Sequence, residues 1–198
     1  MDSATSSPTS LLRTKLTGRI SKDEVCELCS IIKGNDEMKA ALYGLTTAAD
    51  VRVSVNALWV FTHLDEADNA WLYAKQDEMI DRVLQETHIA HCRLLLSLLH
   101  RQPFKAESLR ADFMDYCLSK ITAVAQPYAI RALCIKLAYE QCRHYPELLA
   151  ELQMALELLQ TERLSPGLAS ALRQVERKMR KGKRVKRSEK GRERKEGG

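Results

Sequence analysis

At 198 residues the chain fits one domain or two small ones. It is 45% hydrophobic and 29% charged but only 6% aromatic, with Leu and Ala dominant, which argues against a β-sandwich or barrel. Eight Gly and five Pro leave little material for a turn-rich fold or a Gly-rich phosphate cradle, and no apolar run approaches the roughly 18 residues that span a bilayer.

The net charge of +5 hides an asymmetry. From Arg177 to Gly198 there are twelve Lys or Arg against three Glu, whereas residues 1–176 carry nineteen basic and twenty-three acidic residues. An acidic body with a strongly basic tail points to a polyanionic partner for the tail. The first ten residues, MDSATSSPTS, lack the apolar stretch and early positive charge of a secretory signal. Most of the six cysteines (Cys26, Cys29, Cys92, Cys117, Cys134, Cys142) fall on apolar helical faces, where a free thiol acts as a small hydrophobe. Free thiols, a reducing compartment and a cytoplasmic location are expected.

Residues 1–20 are rich in Ser and Thr and are expected to be mostly disordered, although Leu11, Leu12 and Leu16 are spaced to dock one short helical stretch. Ser21 with Glu24 forms a capping-box pattern, followed by Val25, Leu28, Cys29 and Ile32 at helical spacing and a stop at Gly34. A second helix over about 36–45 buries Met38, Ala41, Leu42 and Leu45. Val51, Val53 and Val55 alternate with polar residues as a strand would. The alternation fails over 57–64, and Asp50 is a suitable N-cap, so the spacing predicts a helix covered on both sides. The acidic loop 65–69 leads to a helix ending near Glu86 that carries Trp71, Leu72, Met79, Ile80, Val83 and Leu84. Further helices are predicted over about 88–100 and 106–121. The next opens at Pro127, with Ile130, Leu133, Cys134, Leu137 and Ala138 as its apolar stripe. The last two begin at Pro146 (Leu148, Leu149, Leu152, Leu156, Leu159) and at Ser165-Pro166.

Aligning Ala57-Leu58, Leu94-Leu95 and Ala132-Leu133 gives spacings of 37 and 38 residues. Each such helix is followed by a turn and a more amphipathic helix, the pattern of hairpins that bury their faces only against their neighbours. Through Val51–Leu64, Ile89–Leu99, Ala129–Ala138 and the Tyr145-Pro146-Glu147-Leu148-Leu149 turn, the stretch from Ser21 to Lys178 resembles the ARM/HEAT-like α-solenoids, small functionally uncharacterised bacterial members among them. The resemblance implies an all-α, right-handed solenoid of stacked antiparallel hairpins, with a repeat domain over 21–178 and a basic disordered tail over 179–198. It also implies a noncatalytic scaffold or adaptor that binds another protein.

The remaining constellations favour structural readings. Cys26-x-x-Cys29 lies inside a capped helix and lacks a second ligand pair, so thiols are expected rather than zinc or a redox centre. His63, His88, His91, His100 and His144 are scattered and match no catalytic motif, and His88 and His91 are expected to face solvent. Asp65, Glu66 and Asp68 lack the spacing of a calcium loop and suit the positive end of the next helix. Trp59 and Trp71 are candidates to stack on a nucleic-acid base, but no paired carboxylate and basic groove accompany them and the body is acidic, so Trp59 reads as core and Trp71 is balanced between core and base stacking. No enzymatic activity, cofactor or metal is expected.

Two features point outward. Glu147, Glu151, Met154 and Glu157 sit opposite the leucines of their helix, an acidic strip suited to a basic partner. The tail, with Lys178, Arg180, Lys181, Lys183, Arg184, Lys186, Arg187, Lys190, Arg192, Arg194 and Lys195, lacks aromatics for base stacking. Binding there to nucleic acid or another polyanion would be phosphate-driven and salt-sensitive. The alternative to an adaptor is a nucleic-acid-associated protein that holds the phosphate backbone through tail and solenoid.

Overall fold

The computed structural model describes residues 7–161 and 163–196, with side chains to residue 182. Eleven α-helices are described: α1 (Pro8–Leu16), α2 (Lys22–Ile32), α3 (Asp36–Leu45), α4 (Val51–His63), α5 (Glu66–Asn69), α6 (Gln76–Gln85), α7 (Ile89–Leu99), α8 (Ala111–Thr122), α9 (Tyr128–Cys142), α10 (Pro146–Leu159) and α11 (Pro166–Glu196). Short 3₁₀ turns occupy Ala70–Lys75 and Ala106–Ser108, and no strand occurs among the described residues. The chain forms two compact units, residues 1–103 and 104–198.

Local chemistry explains most boundaries. At α2 the Ser21 hydroxyl accepts from Glu24 N (3.2 Å) while the Glu24 carboxylate accepts from Ser21 N (2.6 Å). This pairing, through the Ser21 backbone N–H first, holds the Glu24 carboxyl below its ordinary value. Gly34 ends the element at φ 67°, a left-handed conformation that glycine adopts without a Cβ penalty. The valine-rich start of α4 is helical because Asp50 Oδ1 accepts from Arg52 N and Val53 N (2.8 and 3.4 Å).

In the first unit α4 packs on α2, α3 and α7, and α6 packs on α7. Val53, Ala57, Leu58, Val60 and Phe61 of α4 are buried, as are Leu94, Leu95, Leu96, Leu98 and Leu99 of α7. Residues 8–16 form α1, with Leu12 and Leu16 fully buried against α3 and α4, as their helical spacing suggests. Asn56 Nδ2 fastens the end of α1 by donating to the Leu16 and Gly18 carbonyls (2.9 and 3.0 Å). In the second unit α8 and α11 both pack on α9, while α10 lies against α8 and α9. Ile130, Cys134, Leu137 and Ala138 of α9 are buried, whereas Leu133, assigned to the same stripe, is half-buried.

Side chains join elements at the interval that the hydrophobic pattern shows. Arg82 donates to Thr46 Oγ1 and O, both at 3.0 Å, from 36 residues away. Arg101 donates to Thr62 O and Leu64 O (3.0 and 2.8 Å) across 39 and 37 residues. In the second unit the Tyr145 hydroxyl reaches Ala106 O (2.6 Å) across 39. Carbonyls at helix C-termini lack intrahelical donors, and the flat guanidinium fork of Arg101 satisfies two at once.

The basic stretch continues the backbone of α11, which runs to Glu196. Lys, Arg and Glu are good helix formers, and α11 already has a first turn set by Pro166 and a buried stripe of Leu168, Ala171, Leu172, Val175 and Met179 to propagate from.

Candidate functional site

α10 carries two faces of unlike kind. Pro146 at its first turn and Glu147 beside the positive helix end set its start. Leu152, Leu156 and Leu159 are buried, and Leu148 and Leu149 are half-buried. On the opposite side Glu147, Glu151 and Met154 are exposed at i, i+4 and i+7, and Leu158 extends the line by one more turn. Met154 is 61% exposed and Leu158 63%, two neighbouring apolar side chains on a solvated face. Leu158 was missed in the sequence; its spacing of four from Met154 is the signal that finds it.

Glu157 lies off this line and faces the hollow between α10 and α11. Because α11 packs on α9, a cavity of about 280 Å³ opens beside Gln153, Leu156, Glu157, Gln160, Glu176, Met179 and Arg180. Two carboxylates border it. Glu157 accepts from Gln153 Nε2 (3.0 Å), and Glu176 accepts from Gln160 Nε2 (2.6 Å), with Arg180 at a long 3.9 Å.

The basic residues divide by environment. Lys178 is engaged within the fold, 2.7 Å from Glu140 and above the Tyr139 ring at 5.3 Å. Arg180 and Lys181 are exposed, and so are Arg177 and Arg173, one and two turns earlier, which a reading centred on the tail leaves out. The side chains of Lys183, Arg184, Lys186, Arg187, Lys190, Arg192, Arg194 and Lys195 lie outside the described residues.

The sequence's other candidates have structural partners. All six cysteines are free, with Cys26 exposed. Cys29 Sγ donates to Val60 O (3.7 Å), and burial above all, then Cys26 and Asp68, pushes its thiol up to about 11. Asp65 caps α5 through Asp68 N (2.9 Å) and pairs with Lys33 (3.2 Å); Asp68 pairs with Lys39. The solvent-facing expectation is corrected for His91, whose side chain is 13% exposed. It meets Ser54 Oγ at 2.8 Å and Glu86 at 3.4 Å. Burial foremost keeps it below its ordinary 6.5, with Glu86 pulling the other way. His88 is exposed and caps α7 by accepting from His91 N. Trp71 stacks on Phe61 and meets Tyr43 edge-on, and Trp59 meets His63 edge-on. Among the described residues no group of three or more His, Cys, Asp or Glu is placed to hold a metal ion, and no helix is long and apolar enough to cross a membrane.

No curated protein and no solved structure matches the chain. The family described as the HEAT repeat domain matches residues 12–179. That match runs from the second half of α1 through α10 to the buried part of α11, most of the chain, and the protein therefore belongs to the HEAT repeat domain family.

Proposed function

We propose that this HEAT repeat protein is a noncatalytic cytoplasmic adaptor that docks a partner protein on the outer face of α10 and gains affinity for a polyanion from the basic end of α11. HEAT repeat domains are generally noncatalytic scaffolds for protein interaction. The observation that carries the reading is the exposed pair Met154 and Leu158, in line with Glu147 and Glu151, on a helix whose other face is core. An apolar pair beside carboxylates suits a basic amphipathic surface, because contact buries the pair and its rim charges complement those of the partner. The test is quantitative cross-linking in the native host with wild type and with Met154→Lys combined with Leu158→Lys. Both positions are exposed, so the fold is retained, and a specific cross-linked partner disappears. An unchanged partner set overturns the reading.

A second reading, association with nucleic acid, has its own observation. Arg173, Arg177, Arg180 and Lys181 line the exposed part of α11 and lead into the basic end. Binding of a single-stranded RNA across a salt series, with and without residues 183–198, tests it. Loss of affinity and a flatter salt dependence on truncation are expected if the tail is the anchor. Equal slopes remove the tail from consideration.

A further inference from the structure

The adaptor reading leaves open what the α10–α11 hollow holds. A second hollow adjoins it, about 210 Å³ in volume, sharing Gln153 and Met179 and walled by Tyr139, Pro146, Leu149 and Ala150, with Arg143 and Gly182 at its edge. Both hollows lie within the second unit. The two together make a trough with unlike ends. Glu157 and Glu176 mark one end, and the other is apolar. Near the apolar end Arg143 and Lys178 share one carboxylate, Glu140, at 3.0 and 2.7 Å. At the acidic end Glu157 has no ion pair among the described residues, and Arg180, itself 73% exposed, stands 3.9 Å from Glu176.

We infer, resting on the adaptor reading, that this trough is a two-anchor groove for a helical segment of the partner, seating a Leu- or Met-sized side chain between Tyr139 and Leu149 and an Arg or Lys at Glu157 and Glu176. Charge complementarity sets the cation, and the size and apolar walls of the second hollow set the other anchor. The anchors' separation follows from α10 itself. Ala150 and Glu157 are seven residues apart, about 10 Å along a helix at 1.5 Å per residue. A helical ligand matches this with its two anchors at i and i+7. The walls are helices whose backbone groups are already paired along their length, so an extended ligand would leave its own N–H and C=O groups without partners. A helical ligand satisfies its own.

The probes are fluorescein-labelled Ala-based helical peptides with Leu and Arg at i and i+7, with Leu and Glu, and with Ser and Arg, titrated into the full chain and followed by anisotropy. The Leu/Arg peptide is expected to bind at least about ten-fold more tightly than the other two. Ala150→Trp, at an exposed position, fills the apolar hollow and removes the advantage of Leu over Ser. Glu157→Lys with Glu176→Lys turns the preference toward the Leu/Glu peptide. Melting curves confirm that each variant is folded. Equal binding of Leu/Arg and Leu/Glu peptides, no binding below about 1 mM, or a folded Ala150→Trp variant that binds Leu/Arg as wild type does would each overturn the groove. Any of these outcomes, together with partner loss on Met154→Lys and Leu158→Lys, leaves the adaptor reading standing. Selective peptide binding with an unchanged partner set leaves the groove and removes the α10 outer face.

Discussion

Lys39 Nζ and Asp68 Oδ1 lie 2.7 Å apart with side chains only 6% and 8% exposed, a pair joining α3 to the segment after α4. The same Asp68 oxygen accepts from Gly34 N at 3.0 Å, so one carboxylate holds both a helix and the turn before it. The Lys39 hydrogen bond, then that of Gly34, keeps Asp68 below its ordinary 3.8. Lys39 is raised above 10.5: burial acts against its charge, but Asp68 and Asp36 outweigh it.

The first prediction is therefore a pH profile. A depressed carboxylate contributes stability that is present above 3.8 and is lost as pH falls through the lower folded value. The raised Lys39 contributes stability that is present below 10.5 and is lost as pH rises past its folded value. Asp68→Asn should cost about 1–3 kcal/mol at neutral pH and make stability less pH-dependent below pH 4. Urea unfolding at pH 7, 5 and 3 measures it, and a wild-type acid slope retained in the variant would remove Asp68 as its source.

Gly44 sits inside α3, exposed, with nothing within 4 Å of where a Cβ would be. Gly44→Ala should raise stability by about 0.5–1 kcal/mol, since alanine loses less backbone entropy in a helix. An unchanged or lowered denaturation midpoint would contradict this.

Leu137 is fully buried in α9 and Leu133 is not. Leu137→Ala should cost about 2–5 kcal/mol, and Leu133→Ala clearly less. Chemical denaturation of the two variants side by side gives the ranking, and equal losses would mean the two environments have been misjudged.

Thiol accessibility supplies the fourth. Cys26 is exposed, whereas Cys92, Cys117, Cys134 and Cys142 are buried. Burial foremost lifts Cys29 to about 11 and Cys142 to about 12, so neither supplies thiolate at pH 8. Timed alkylation of the native protein followed by mass spectrometry should label Cys26 first and Cys142 only on unfolding. Early labelling of Cys142 would show that its site opens readily.

Where a boundary depends on residues within a turn of it, the sequence is readable. Ser21 and Asp50 place α2 and α4, and Asp50 decides against a strand at Val51–Val55. The spacing over residues 65–86 predicts a loop and one helix, whereas the chain forms α5, a 3₁₀ turn and α6. Asn69 Nδ2 bonds to the carbonyls of Phe61, Leu64 and Asp65, contacts that exist only once α4 has ended and the chain has turned back. The partner of Asp68 was hidden for the same reason, since Lys39 is 29 residues away in sequence. At the candidate site the acidic strip was legible from helical spacing, except that Glu157 turns toward α11. That orientation depends on α11 packing against α9, which no periodicity within α10 encodes.

Arg82 and Arg101 have a dynamic consequence. Arg82 holds the Thr46 carbonyl and hydroxyl and Arg101 the Thr62 and Leu64 carbonyls, 36 to 39 residues upstream, so α3 and α4 cannot fray at their C-termini unless a guanidinium from the following hairpin lets go. Brief excursions from the native state should then involve neighbouring hairpins together rather than single turns. Backbone amides in the last turns of α3 and α4 would exchange with deuterium in step with those of α6 and α7.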